Sequence, residues 1–438
     1  MKLSRLEQVS VITLLVIFLG VVFHAPLSVG LGILLPDYDL LIKSWKEILM
    51  VILIPLACIS VTRRKMWGEL THDWIFRLIV AYGLLHLVLM GLLWQGTAPA
   101  LAGLAIDLRY VLFFSLVYVF VRSVPVSRRS FILAAGIGAG VVVGFATLQL
   151  FLPPDILTHI GYSKDTIAPY LTVDKNPNYI RVNSTLRGPN PLGAYAGMVL
   201  GFLTAALAKN QLHLKKRWVL TTTGIFGLCA FIALWISYSR SALVAGIVTI
   251  LVVVLVTTVK RISKRAWIAA GAIVIVLAGG LVAARDSSFV SNIILHENPE
   301  GGSSISSNDG HIESLQYGFA QLIKQPLGGG IGSTGSASLL GETPLIVENQ
   351  YLFIGHEAGW LGLTLFGVLF CMIMAKLWRY RQDWLALGAF SSGIGLALIG
   401  LLLPVWVDDT VAIIWWGIAA IAIAGGDYAR RTAKQKTT

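Results

Sequence analysis

Apolar residues run along this chain in blocks of bilayer-spanning or near-spanning length, at approximately 9–23, 47–61, 75–94, 100–121, 131–152, 190–208, 218–236, 241–259, 266–283, 353–375, 385–403 and 411–426. Each block predicts a transmembrane helix, because a helix satisfies its own backbone hydrogen bonds inside hydrocarbon. Several blocks fall short of the ~20 residues that a perpendicular span needs, so their ends are expected to extend into flanking polar residues. The predicted fold class is an all-α polytopic membrane protein with about twelve transmembrane helices. It divides into membrane helices 1–5 over residues 1–152, an outer loop over 153–189, membrane helices 6–9 over 190–283, a large outer loop over 284–352, and membrane helices 10–12 with a tail over 353–438.

Two connections are long. Residues 153–189 open with Pro153-Pro154 and stay polar, while 284–350 are rich in Gly and Ser and contain a predicted helix near His311 to Gln325. Long loops on one face, opposite short loops on the other, mark the functional side. Within the membrane blocks, Gly136, Gly140 and Gly144 have the spacing of close helix packing. Asp107 and Arg109 stand two apart and therefore point to different sides of one helix.

Charge sets the orientation. The bases at Lys2, Arg5, Arg63, Arg64, Lys65, Arg77, Arg122, Arg128, Arg129, Lys209, Lys215, Lys216, Arg217, Lys260, Arg261, Lys264, Arg265, Lys376, Arg379, Arg381, Arg430, Arg431, Lys434 and Lys436 fall at every second connection and account for 24 of the 34 Lys and Arg. Both termini are therefore expected in the cytoplasm, and the long loops on the periplasm-like side of an inner, plasma membrane. The formal charge of +12 is a row of topological anchors and calls for no nucleic acid. With 56% hydrophobic and 13% charged residues and a mean hydropathy of +0.77, there is too little charge to wrap a soluble core. Cys58, Cys229 and Cys371 sit in apolar stretches and read as small core residues. No small-residue cleavage site follows Phe23, so the first block is expected to be a retained helix.

On the outer side fifteen acids face nine bases, so those bases need an explanation other than orientation. Arg181 and Arg187 flank a stretch ending in Gly188-Pro189-Asn190 at the mouth of the sixth helix. Guanidinium forks and a helix N-terminus suit phosphate oxygens, although the same arginines can snorkel to lipid phosphates. Ser237-Tyr238-Ser239-Arg240-Ser241 opens the eighth helix and sets a cation beside hydroxyls; one interfacial anchor is the rival reading. A third group joins Asp309-Gly310-His311-Ile312-Glu313 to Pro326-Leu327-Gly328-Gly329-Gly330-Ile331-Gly332, which suits a phosphate loop or a metal less well than it suits an ordinary Gly-rich turn. The fourth is Glu348-Asn349-Gln350-Tyr351, where a carboxylate at the membrane boundary serves as a general base or as a helix N-terminal acid. Asp408-Asp409, between the last two helices, suits contact with sugar less well than it suits a solvated pair.

Taken in order over roughly residues 175 to 375, these stretches resemble the O-antigen ligase and polymerase superfamily of membrane glycosyltransferases. The resemblance rests on Arg181, Ser184, Thr185 and Asn190 at a helix mouth, on Ser239-Arg240 opening a helix, on the Gln325–Gly332 run, and on Glu348 to Gly362. It implies metal-independent, inverting transfer of a glycan from an undecaprenyl diphosphate carrier to an acceptor hydroxyl on a glycan or lipid, in cell-surface polysaccharide biosynthesis, with no cofactor. It further implies diphosphate binding by Arg181 and Arg240, with Arg187 an additional candidate from the same stretch. The position of the histidine that activates the acceptor in the ligases holds Glu348, which is taken as the catalytic base. Asn190, Ser239, Asn349, Tyr351 and His311 are taken as supporting residues; His356, inside an apolar helix, reads as a structural hydrogen-bonding residue, and Arg109 as a supporting charge. Ligase and polymerase remain open. A transporter or flippase of lipid-linked sugar is the rival class, and it calls for related halves with charges near the midplane.

Overall fold

The computed structural model describes residues 4–123, 127–173, 175–212, 216–258 and 307–435, with isolated positions between 259 and 306. The span expected at 266–283 and the first part of the large loop lie outside the described residues. Among those described, ten helices are long and apolar enough to cross a membrane, and Trp384–Ile399 is a shorter apolar helix. The chain is thus an all-α multi-pass membrane protein.

The helices are α1 Arg5–Gly20, α2 His24–Leu34, α3 Asp39–Lys43, α4 Trp45–Arg63, α5 Trp67–Thr71, α6 Trp74–Leu92, α7 Thr97–Ser123, α8 Ser127–Leu148, α9 Pro189–Ala208, α10 Arg217–Ile236, α11 Arg240–Thr258, α12 Ser307–Lys324, α13 Gly335–Ser338, α14 Gln350–Arg379, α15 Trp384–Ile399 and α16 Asp409–Gln435. Several begin where sequence chemistry tells them to. Ser4 and Glu7 form a capping box on α1, Asp73 caps α6 through the Ile75 amide, and Asp383 caps α15 through that of Leu385. Pro189 occupies the first turn of α9, where its missing N–H leaves nothing unpaired.

Two packing groups meet in the bundle. One is large and aromatic: α7 lies along α16, and Tyr110, Phe114, Phe366, Phe370, Trp406, Trp415 and Trp416 interlock, with Trp415 and Trp416 fully buried. The other is built on small residues, where α9, α11 and α15 approach so closely that a Cβ on Gly197 would lie 3.4 Å from the Gly246 Cα. Gly136, Gly140 and Gly144 do not take part in such packing, because nothing lies within 4 Å of a Cβ at any of them. It is Gly138 that meets Val22 and Leu19 of the first span; the three expected glycines share the opposite face of α8.

One end of the bundle carries the first and the last of the described helix ends, the start of α1 and the end of α16. There Glu7 pairs with Arg64, and Asp73 accepts from Lys376 at 2.9 Å and from the Tyr118 hydroxyl at 2.7 Å. The opposite, loop end carries an antiparallel hairpin of β1 Leu171–Val173 and β2 Asn176–Arg181, together with α12 and α13.

Candidate active site

The starts of α9, α11, α14 and α16 gather at the loop end with the described parts of the two long connections, 153–189 and 307–349. The segment after β2 is pinned down by polar side chains. Ser184, in left-handed backbone at φ 53°, donates its hydroxyl to the Val142 carbonyl and its amide to Gln149, while Asn183 donates to the Ala168 carbonyl at 2.7 Å. Arg181 is thereby held above the α9 start. Its Nη2 donates to Asn190 Oδ1 at 2.6 Å and its Nε to the Ser237 carbonyl at 2.9 Å.

That second bond reaches the α10–α11 corner. Ser237 Oγ accepts the Ser239 amide at 3.2 Å, Ser239 and Ser241 hydroxyls lie 3.3 Å apart, and Arg240 opens α11, half-buried. A Cβ on Gly193 would sit 2.6 Å from Ser237 Oγ and 2.7 Å from the Ala242 Cβ, so only glycine lets α9 press against this corner. Arg181, Asn190, Ser239 and Arg240 thus share one corner of the molecule.

Arg187 stands on the rim of a neighbouring cavity of about 220 Å³, lined also by Asn190, Pro191, Ala194, Leu403 and Asp408. Asp408, read in the sequence as more apt to be solvated than to touch sugar, is part of its wall. Burial, with Asp409 beside it, pushes its carboxyl up from the usual carboxylate range against the opposing pull of the Val411 amide, Arg187 and Arg109. Asp409 is no solvated acid either. It pairs with Arg109, with Lys46 at 2.8 Å and with His24 at 2.8 Å, drawn in by basic side chains from three other helices. Lys46 is 1% exposed and Arg109 6%, so this cluster ties α2, α4, α7 and α16 together just behind the Asp408 cavity. Arg109 and Asp107 point apart on α7, as their spacing predicts: Asp107 faces His86, at 3.5 Å.

The start of α14 is fixed by its own polar residues. Asn349 caps the helix by accepting the Tyr351 and Leu352 amides and donates to the Leu401 carbonyl at 2.6 Å; the Tyr351 hydroxyl donates to the Ala397 carbonyl at 2.8 Å. Gln350 accepts the Trp406 amide at 2.7 Å. These bonds dock the helix on the 397–406 segment, whose continuation lines the Arg187 cavity. Asn349 and Tyr351 therefore position the α14 start. Glu348 is half-buried there, its amide within 3.4 Å of Ser314 Oγ. His311 lies on α12 and its side chain, like those of Asp309 and Glu313, is outside the described residues.

The Gly-rich run is a docking loop. α14 breaks at Gly359, at φ 66° and ψ −169°, and the Trp360 amide donates to the Pro326 carbonyl at 2.9 Å. Gly328, Gly330 and Gly332 take positive φ as the loop folds back. Its amides form a concave nest, and the group that fills it is a side chain of the protein's own. Glu357, fully buried, accepts the Gly332 amide at 2.8 Å and the Thr334 amide at 3.1 Å. Gln95 holds the Gly329 carbonyl from the other side at 2.6 Å. A buried carboxylate within an apolar helix was the one sequence signal for this clamp.

Compared with known proteins, residues 225–367 match the O-antigen ligase family. No curated protein matches the chain. The matched stretch contains Ser239, Arg240, the Gly-rich loop, Glu348 and Glu357, whereas Arg181, Arg187 and Asp408 lie beyond it.

Proposed function

We propose that this multi-pass inner-membrane chain, whose residues 225–367 match the O-antigen ligase family, transfers a glycan from a lipid diphosphate carrier to an acceptor hydroxyl. The reaction takes place at the loop end, on the periplasmic face. The observation that carries this reading is the Arg181 guanidinium spanning Asn190 at the α9 start and Ser237 at the α10–α11 corner, which brings two cation-bearing segments 59 residues apart in sequence, at Arg181 and Arg240, to one corner.

The chemistry asks for charge and placement. The acceptor oxygen forms a bond to the sugar C1 from the face opposite the diphosphate. The C1–O bond to phosphorus breaks, its electron pair leaves with the lipid diphosphate, and C1 inverts. Arg181, Arg240 and Arg187 stabilise the negative charge that develops on the leaving group, a contribution that grows in a partly dry cleft. The acceptor proton passes to the Glu348 carboxylate, at the membrane boundary. Holding both substrates against the loop end turns a two-body encounter into a local one.

The test uses purified protein, an undecaprenyl-diphosphate-linked oligosaccharide and candidate acceptors. Arg181→Lys removes the two-headed reach of the guanidinium while keeping its charge, and is expected to slow transfer by at least about tenfold, since Lys cannot reproduce bidentate geometry. Full activity of both Arg181→Ala and Arg240→Ala would remove the support for this site. A product lengthened on the carrier identifies a polymerase, and one attached to a different acceptor identifies a ligase.

A further inference from the structure

Where α1 starts and α16 ends, far from the loop end, two polar cavities of about 530 and 490 Å³ adjoin one another among the ends of α6, α7, α8, α14 and α16. Arg379, Tyr380 and Arg430 line both, so these three form the wall between them. Small residues on α16 set the position of that wall. A Cβ on Gly426 would lie 2.5 Å from the Tyr380 ring, and one on Gly425 would lie 2.9 Å from an Arg128 guanidinium nitrogen, so the two glycines let both side chains close on the helix.

Every acid in the two cavities already has a partner. Glu69 pairs with Arg122 at 3.1 Å, Asp73 with Lys376 at 2.9 Å and Asp383 with Arg128, while Asp427 accepts the Tyr380 hydroxyl. Arg379 and Arg430 are left over. No described acid pairs with either, and both residues are exposed.

We propose that this wall binds the head group of an anionic phospholipid of the cytoplasmic leaflet, one that carries two phosphates and lodges one in each cavity. A guanidinium fork matches phosphate oxygens bidentately, and two uncompensated forks on one wall repel each other until two negative charges lie beside them. A head group with one phosphate neutralises one fork and leaves the other. The larger cavity also points to a lipid as the source of the phosphates. Trp74, 61% exposed, lines it, and Trp67 and Trp378 are exposed at the same end, the girdle expected at a membrane–water boundary. From Arg379 the lining continues along α14 through Lys376 to Met372, about 10 Å at 1.5 Å per residue. Polar lining thus gives way to apolar lining, as it does along a phospholipid from head group to acyl chain; a soluble phosphate has no use for Trp74 or Met372. The orientation expected from the basic connections puts this end in the cytoplasm, where basic pockets between helices suit such lipids. No group of the loop end takes part, so the site stands independently of the glycosyl-transfer reading.

The full chain, purified in detergent and stripped of lipid, is titrated with cardiolipin as the two-phosphate probe, and with phosphatidylglycerol and phosphatidylethanolamine as one-phosphate comparisons. Binding is read by native mass spectrometry. Each arginine is expected to contribute about fivefold, the equivalent of about 1 kcal/mol for a base at the membrane surface. The wild type should therefore prefer cardiolipin to phosphatidylglycerol by about fivefold at matched phosphate, and bind phosphatidylethanolamine more weakly than either. Arg379→Gln with Arg430→Gln should weaken cardiolipin by about 25-fold and abolish the preference. Since neither guanidinium is bonded within the described residues, the unfolding midpoint without lipid should not move. Should the double variant fail to fold, the two single variants, each expected to lose about fivefold, carry the same test. Arg381→Gln is the matched control, because Arg381 follows Tyr380, sits over the Trp378 ring at 4.3 Å and lines neither cavity. Equal binding of cardiolipin and phosphatidylglycerol by the wild type, an undiminished preference in the arginine variants, or an equal loss in Arg381→Gln overturns the proposal. So does binding of inorganic phosphate with which cardiolipin fails to compete, since the ligand would then be a soluble anion.

Discussion

Glu357 accepts the backbone amide of Gly332, 25 residues earlier in the chain, at 2.8 Å, and with its other oxygen that of Thr334. A side-chain carboxyl of the protein itself thus fills the amide nest of the Gly-rich loop and fastens the loop over the break in α14. Glu357→Ala leaves two buried amides without acceptors, each worth roughly 1–3 kcal/mol, and is expected to destabilise the loop end by about 3 kcal/mol. Limited proteolysis should then cut within residues 325–349 faster than in the wild type. Unchanged cleavage and an unchanged unfolding midpoint would show that the clamp carries no weight.

Gly359 has a stricter requirement. At φ 66° and ψ −169° it occupies backbone space essentially reserved for glycine, and a Cβ would run into the Pro326 carbonyl and the Leu327 backbone. Gly359→Ala is expected to cost more than the ~1–3 kcal/mol of ordinary backbone strain, because helix and loop cannot both stay in place. Comparison with Gly367→Ala, on the same helix with nothing within 4 Å of its added Cβ, separates the strain from helix-wide effects in a detergent unfolding assay.

The helices were largely legible in the sequence. Blocks such as 75–94 and 190–208 became Trp74–Leu92 and Pro189–Ala208, since lipid exposure leaves the apolar run unbroken. What periodicity cannot say is which face meets a neighbour. Gly136, Gly140 and Gly144 share a stripe, yet that stripe points away from close packing, and Gly138 on the other side does the packing. Side-chain bonds across long stretches of chain are equally hidden. Asp408-Asp409 read as a solvated pair because the side chains that draw Asp409 inward, Arg109, Lys46 and His24, come from three distant helices. The Arg181 bond to Ser237, across 56 residues, was foreshadowed only by the order of motifs.

At the terminal end, Asp73 predicts an acid-sensitive joint. Burial pushes its carboxyl up, but Lys376 and the Tyr118 hydroxyl more than offset this, and it ends below its ordinary value of 3.8. A depressed carboxylate contributes stability that is fully present above 3.8 and is lost as pH falls through the lower, folded-state value. Asp73→Asn retains an oxygen for the Ile75 amide while losing the ion pair, so it should lower stability at neutral pH by about 1–3 kcal/mol. The difference from wild type should shrink as pH falls below 3.8. A gap that persists unchanged into strong acid would mean that the cap, rather than the ion pair, accounts for the loss.

Glu348 is the residue on which the catalytic step of the proposal turns. It sits at the mouth of α14, half-buried, on a helix start that Asn349, Gln350 and Tyr351 tie to the 397–406 segment, so its carboxylate is borne by a fixed frame. Glu348→Gln keeps the shape and removes the proton-accepting charge. If Glu348 accepts the acceptor proton, kcat should fall by about 10²–10⁴-fold, the usual contribution of general base catalysis, with the donor KM little changed. The acidic limb of the pH–rate profile should vanish in the same variant. Asp408 provides the counter-test, because it is the acid that lines the Arg187 cavity. Were Asp408→Asn to abolish that limb and Glu348→Gln to leave it intact, the proton would pass to the acid beside Arg187.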